Sequence, residues 1–302
     1  MSAAEAAAAL AQGAREAGLS AEELPVADGG EGTLEALQRA LGGEVREARV
    51  SDPLGRPVAA RWLLLPDGRA VVEAAQAIGL PLVAPAERDP LRASSRGLGE
   101  LLLAVLAARP RALVIGLGGS ATVDGGAGLR QVVDSLPVPA VVLCDVQTRL
   151  RDAARLFGPQ KGAGPEEVAE LERRLGEMEE LRPYADLPGA GAAGGLGAAF
   201  AALGAELVPG AAALLDLLRF EERLRRSDLV VTGEGEVDET TAEGKAPGEV
   251  ARRAAAAGVR CLVFGGRVRA PVAGAETVAL SGDPARARDD LVALGRRLAE
   301  RA

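Results

Sequence analysis

The sequence predicts an α/β protein built of more than one part, and three observations carry that expectation. Leu113–Leu117 is a short, continuous apolar run, as expected of a strand buried on both faces, and it empties into a glycine-rich loop. In the last third, strand-like runs at Leu229–Thr232 and Cys261–Phe264 alternate with helical stretches. Between these regions and the N-terminus the rhythm changes. Val45–Val50, Val58–Leu65 and Ala70–Ala75 are separated by the turn signals Asp52-Pro53-Leu54-Gly55 and Pro66-Asp67-Gly68. They read as an antiparallel meander, which places a domain boundary near residue 50.

The elements follow in order. Ser2 and Glu5 form a capping box before an alanine-rich helix running to Gly18. Leu24–Ala27 reads as a short strand leading into Asp28-Gly29-Gly30-Glu31-Gly32-Thr33. A helix with Leu34, Leu37 and Leu41 on one face follows, stopped by Gly42. Ser94-Ser95-Arg96 opens a helix over Leu98–Ala108. Ala140–Leu143 is a second buried strand, ending at Cys144-Asp145. Pro165 starts an amphipathic helix with Val168, Leu171, Leu175 and Met178 at core spacing. Gly191–Gly195 belongs to a second glycine-rich loop before a helix, either an anion cradle or a close-packing device. Gly233–Asp238 reads as an acidic loop, Lys245 leads into a helix to Ala257, Gly265-Gly266 is a loop, and Pro284–Arg301 is a closing helix.

Composition narrows the function. The 302 residues carry a net charge of −8 and only 2% aromatics, which argues against a nucleic-acid partner with its basic face and stacking platforms. No apolar run approaches the roughly 18 residues of a membrane span. The first residues lack the basic start of a signal peptide. Cys144 and Cys261 lie in apolar runs, far apart, and read as buried small hydrophobes in a reducing cytoplasm. There is no histidine, which removes Ser-His-Asp chemistry and His-ligated zinc. Lys161 and Lys245 are the only lysines beside 33 arginines, and both lie in Gly/Pro-rich loops. A compact ammonium where arginine is otherwise the rule points to a phosphate met in a narrow loop.

The central loop has glycines at 116, 118, 119, 125 and 126, with Ser120, Thr122 and Asp124 between them. Little side-chain bulk lets backbone amides approach a ligand, hydroxyls can bond phosphate oxygens, and Asp124 can face a metal. Asp28 and Glu31 sit in a glycine-flanked loop at a helix start. Ser94, Ser95 and Arg96 suit an anion at a helix N-terminus, and Asp145 ends a strand where open α/β sheets keep their chemistry. Two enzyme classes use such parts. Gly116-x-Gly118-x-x-Ala121 matches the dinucleotide fingerprint, with Asp145 as the ribose acid, which predicts an NAD-dependent dehydrogenase. Several carboxylates, amides and lysines together predict instead a Mg²⁺-nucleotide enzyme; no Walker-type Gly-x-x-x-x-Gly-Lys-Ser/Thr is present. A ligand-binding protein without turnover is a third class.

Ten stretches in register point to one family: PVADGGEGT (25–33), DPLG (52–55), RDP (88–90), SSRGLGE (94–100), GGSATVDGGAG (118–128), CDV (144–146), FGPQKGA (157–163), PGAGAAGG (188–195), TGEG (232–235) and GKAP (244–247). The chain resembles the class I bacterial glycerate kinases. That resemblance implies ATP-dependent phosphorylation of D-glycerate at its 2-hydroxyl, with Mg²⁺. It also implies a flavodoxin-like domain from residues 1–49 and 214–302 and an inserted mixed-sheet domain from 50–213, with substrates meeting between them.

On that pattern Gly118, Gly119, Ser120, Thr122, Gly125, Lys161 and Lys245 handle phosphates. Asp124 and Asp145 take the metal, Asp28 and Glu31 face the glycerate hydroxyl, and Ser94, Ser95 and Arg96 take the carboxylate. Glu234 and Asp238 stand as further acids. Family members begin with a strand and an Asp-Ser-Phe-Lys loop, and this chain starts after both, so reduced stability and weak turnover are expected of it. It also carries Val123 for the family's Asn, Gln147-Thr148-Arg149 for Thr-Asn-Pro, and Glu236 for Arg.

Overall fold

The computed structural model describes residues 1–26, 30, 32–144, 147–242 and 245–300. The chain forms two compact units, Met1–Ala27 with Ala211–Ala302, and Asp28–Gly210. The first division falls at 27/28 rather than near residue 50. The reason is pairing: β1 (Glu44–Ser51) runs antiparallel to β2 (Pro57–Leu64) along its whole length, and α2 (Thr33–Leu41) buries Leu34 and Leu37. Both therefore belong with the meander and not with the N-terminal helix.

The unit of residues 28–210 holds a six-stranded sheet in the order β1-β2-β3-β4-β5-β6, with β3 at Arg69–Glu73, β4 at Ala112–Gly116, β5 at Ala140–Cys144 and β6 at Glu206–Pro209. β1 to β3 pair antiparallel and β3 to β6 pair parallel. Its helices after α2 are α3 (Ala74–Ile78), α4 (Arg96–Ala107), α5 (Ala127–Arg130), α6 (Ala153–Phe157), α7 (Pro165–Glu177) and α8 (Ala192–Ala202). One core joins Val72, Ile115 and Val142 of the sheet to Leu98, Leu101 and Leu102 of α4 and Leu196 and Phe200 of α8. The predicted buried strands are β4 and β5, each displaced by a residue at most.

The other unit has α1 (Ala3–Glu16), α9 (Gly210–Leu217), α10 (Phe220–Leu224), α11 (Ala246–Ala257) and α12 (Ala287–Arg297) around a parallel sheet of β7 (Leu229–Val237), β8 (Arg260–Val268) and β9 (Glu276–Ala279). Both sheet faces are covered. Cys261 and Val263 join the core of Val250, Ala251 and Ala254 from α11, while Leu262 between them packs with Leu294 of α12. That is why this strand reads as continuously apolar.

Three expectations change here. Leu24–Val26 is irregular, with no strand paired to it among the described residues, although Leu24 and Val26 still pack on the core. Glu234–Val237 and Gly265-Gly266, expected in loops, lie inside β7 and β8, which pair through Val237 and Val268. The closing helix breaks into a 3-10 turn at Pro284–Arg286, then α12, then a second turn at Leu298–Glu300. The capping box forms as read: Ser2 N–H donates to Glu5 and Glu5 N–H to Ser2 Oγ.

α1 and α12 cross in contact, and glycine allows it. A Cβ on Gly13 would fall on the Val292 carbonyl, and one on Gly295 on the Leu10 carbonyl. Gly13→Ala or Gly295→Ala is therefore expected to lower unfolding free energy by about 1–3 kcal/mol through overpacking. Gly176→Ala, in open space on α7, should instead gain about 0.5–1 kcal/mol from helix propensity. Urea denaturation midpoints of the three variants check this.

Candidate functional site

The glycine loop after β4 is closed at both ends. At its start it pairs back on the chain after α3: Leu80 N–H donates to Gly119 O at 2.8 Å and Ala121 N–H to Ile78 O at 2.8 Å. These bonds leave the amides of Gly119 and Ser120 without an acceptor among the described residues. Gly119 is exposed while Ser120 is 5% exposed. The chain reaches no helix until Ala127, and α5 is four residues long. A dinucleotide fingerprint needs its helix to begin at the third position, so the Gly116-x-Gly118-x-x-Ala121 spacing is not one.

Asp124 closes the far end. Its Oδ2 accepts from Ser95 N–H at 2.8 Å, Ser95 Oγ–H at 2.7 Å and Gly128 N–H at 3.1 Å, and its Oδ1 from Gly126 N–H at 3.1 Å. Ser95 is fully buried, and its Oγ also accepts from Leu129 N–H. The carboxylate thus ties the starts of α4 and α5 together, where helix dipoles favour negative charge. Ser94 supports the same corner: its N–H donates to Pro53 O, and its Oγ accepts from Arg96 N–H. Pro53 is set in turn by buried Asp52, which accepts from Leu54 N–H, Arg56 N–H and Arg56 Nε–H.

Lys161 lies beneath the loop. It ends a 3-10 turn, Pro159–Lys161, before Gly162 at φ +105°. Its side chain is 3% exposed, and Nζ donates to Thr122 O at 2.8 Å and Ser120 Oγ at 3.1 Å. The Phe157 ring lies 5.8 Å from Nζ. Burial lowers the Lys161 pKa from 10.5 to about 7, against the pull of Asp124 upward. Thr122 is fully buried, and its Oγ1 has no partner among the described residues.

The second glycine-rich stretch serves packing. Ala193, Gly194 and Gly195 are left-handed within α8, and a Cβ on Gly194 would fall on Thr122 O. Gly125 donates its amide to Gly194 O at 3.0 Å, and its missing side chain makes room for Met178 and Leu175. Its amide is therefore spent within the protein. Arg96, 52% exposed, pairs with Glu100 at 3.0 Å.

In the other unit, β7 and the start of α11 gather a second polar group. Thr241 Oγ1–H donates to Glu234 at 2.6 Å, and Thr240 Oγ1–H to Asp238 at 2.6 Å. Lys245 Nζ stands 3.8 Å from Glu234 and 3.7 Å from Asp238. The Thr240 hydroxyl is the main cause holding the Asp238 carboxyl below its ordinary range. Glu236 forms an ion pair with Arg269. Asp28, Glu31 and Asp145 lie outside the described residues.

Sequence reasoning passed over Glu73. It ends β3 beside Gly116, is 2% exposed, and accepts from Leu34 N–H at 2.6 Å and Gln76 Nε2–H at 3.2 Å. Its signal was an acid closing an apolar strand. Cys144 and Cys261 are free, with thiols pushed up to about 12 and about 11 by burial, as small hydrophobes should be.

Open amides at Gly119 and Ser120, the unpartnered Thr122 hydroxyl and the Lys161 amine fit a phosphate chain. The described residues by themselves form no Mg²⁺ cage: no three acidic, Cys or His side chains converge among them, and the Asp124 carboxylate accepts from four protein donors.

The fold and loop define an α/β protein whose glycine-rich loop after β4 keeps open amides. The glycerate kinase family profile matches residues 1–136 and 130–282. The chain is 40% identical to a glycerate 2-kinase of Escherichia coli K12, over 82% of this chain and 77% of that one. It is 37% identical to a Bacillus subtilis 168 glycerate kinase, over 89% and 82%. The crystal structure of a candidate glycerate kinase 2 from Salmonella typhimurium LT2 superposes with a TM-score of 0.85 at 35% identity, covering 100% of this chain and 94% of that one. The chain belongs to the glycerate kinase family.

Two predictions follow from the buried charges. Removing the Asp124 carboxylate strands buried donors, so Asp124→Ala in metal-free protein should cost about 3 kcal/mol; a rise in stability, as when a repelled ligand acid is removed, would contradict the clamp. For Lys161 the unfolded chain binds more protons than the folded one between pH about 7 and about 10.5. Stability should therefore rise with pH across that window, as the unfolded lysine gives up the proton that favours the unfolded chain. Lys161→Met should flatten that rise, read from denaturation midpoints at several pH values.

Proposed function

We propose that the chain is a glycerate kinase that transfers the γ-phosphoryl group of ATP to the 2-hydroxyl of D-glycerate. The observation that carries the reading is Lys161. One of two lysines in the chain, it is buried under Ser120 and Thr122 in a protein that matches named glycerate kinases over most of its length.

In the reaction the substrate oxygen bonds to the γ-phosphorus, the bridging P–O bond breaks, and ADP leaves with the electron pair. The hydroxyl proton goes to a carboxylate. The protein's task is positioning and charge stabilisation. The Gly118–Ser120 backbone and Thr122 hold phosphoryl oxygens, with the buried Lys161 amine beneath Ser120 and Thr122. Mg²⁺ enters as the counter-ion of the nucleotide phosphates, as is usual for that ion. Asp28, Glu31 and Glu234 are the candidate proton acceptors; Asp238, held in its charged form by Thr240, is the weaker candidate. Lys245 at the start of α11 offers a second cation to phosphate.

The substrate carboxylate falls to Arg96, which keeps two guanidinium nitrogens beyond the Nε bond to Glu100. Ser95 and Gly125 are assigned to the scaffold, since their polar groups are spent within it. Two free buried thiols suit a reducing cytoplasm, and among the described residues no helix is long and apolar enough to cross a membrane.

Incubation with ATP, Mg²⁺ and D-glycerate should produce ADP and 2-phosphoglycerate, with no NADH absorbance change. Binding of both substrates without turnover would identify a degenerate homologue instead. Lys161→Ala should lower kcat/KM by about 10²-fold, the scale of one buried electrostatic contact, while alanine at a surface arginine such as Arg182 should leave it near wild type.

A further inference from the structure

We propose that Lys161 is a positioning residue that acts through Ser120, and that the Ser120 hydroxyl, not the lysine, meets the phosphoryl oxygen. The proposal rests on the glycerate kinase reading for its reaction, but its geometry does not. Lys161 is 3% exposed, and two of its donors are spent on Ser120 Oγ and Thr122 O. The Phe157 ring stands over the amine. The loop is exposed at Gly119, the neighbour of Ser120, whose hydroxyl is the group that the Lys161 amine touches.

A serine hydroxyl has one proton and two lone pairs. At Ser120 an inward lone pair takes the Lys161 N–H, and no acceptor for the Ser120 proton exists among the described residues. The proton is thus left to donate, and a hydroxyl that itself accepts an N–H from behind is a stronger donor than an isolated one. Thr122 supplies the second, independent sign of a ligand: a fully buried side chain whose Oγ1 has no partner among the described residues. Such an atom is costly unless something completes it.

The same geometry explains why lysine survives here in an arginine-rich chain. The amine is enclosed by Ser120, Thr122 and Phe157, and Gly162 beside it is pressed against Arg88, whose Cβ lies 2.9 Å from where a glycine Cβ would stand. A planar guanidinium with five donors would not be satisfied there.

The test is a double-mutant cycle in the glycerate kinase assay. Ser120→Ala and Lys161→Met should each lower kcat/KM by about 10²-fold. The double variant should lose no more than about threefold beyond either single change, because both remove one unit. Ser120→Thr, which keeps a hydroxyl, should recover to within about tenfold of wild type. Losses that multiply, or Ser120→Ala near wild type while Lys161→Met is crippled, would show that the lysine meets the ligand directly and overturn the proposal.

A readout without turnover separates this from the function reading. Inorganic pyrophosphate should raise the melting temperature of the wild-type protein, and Ser120→Ala should abolish the shift even if glycerate is never phosphorylated. An equal shift in Ser120→Ala sinks the proposal. Should Lys161→Met fail to fold, the Ser120→Ala and Ser120→Thr pair decides the matter by the same two measurements.

Discussion

The Asp124 carboxylate is the contact on which the site's shape depends. It gathers donors from two places distant in sequence, Ser95 ahead of α4 and Gly126 and Gly128 at the start of α5. Each helix start presents unpaired amides, and one charge answers both. With that corner held, the segment from Gly118 to Val123 is pinned between Asp124 and the short pairing with Ile78 and Leu80. Only a pinned loop can keep open amides at Gly119 and Ser120 without collapsing on them.

Lys161 shows the opposite economy. Burying an amine so thoroughly is unfavourable, and its lowered pKa is the measure of that cost. The nearby Asp124 charge offsets part of it. The fold tolerates the remainder at a loop whose other polar groups are also under-satisfied. Unpaired polar atoms gathered in this way belong to binding sites more than to scaffolds. Around it, glycines let backbones touch: Gly194 against Thr122, Gly128 against Ser94 and Arg96, and Gly97 against the Ser51 carbonyl. Their task is contact between chain segments as often as contact with a ligand.

Much of this was legible beforehand, and the reasons are particular. The scarcity of lysine marked Lys161, because a point charge has no substitute in a narrow loop. The continuous apolar runs at Leu113 and Cys261 marked strands covered on both faces. The roles of Ser95, Gly125 and Asp124 were not legible. A serine at a helix start reads alike whether it holds an anion or its own protein's carboxylate, and a loop aspartate reads alike whether it holds a metal or three amides and a hydroxyl. Glu73 went unnoticed because a single acid after an apolar run resembles any surface glutamate until its strand is paired with β4.

By itself the sequence determined the class of fold and the family, since strand burial, capping and glycine punctuation are local and leave a periodic or compositional trace. Tertiary structure alone decided where β1 belongs, that β7 and β8 run on through their glycines, and which polar groups in the loop are spent and which are open. Those are facts of pairing between segments as far apart as Ser95 and Asp124, or Ser120 and Lys161. A hydrogen bond's partner is chosen by distance in space, and no residue carries that distance in its neighbours along the chain.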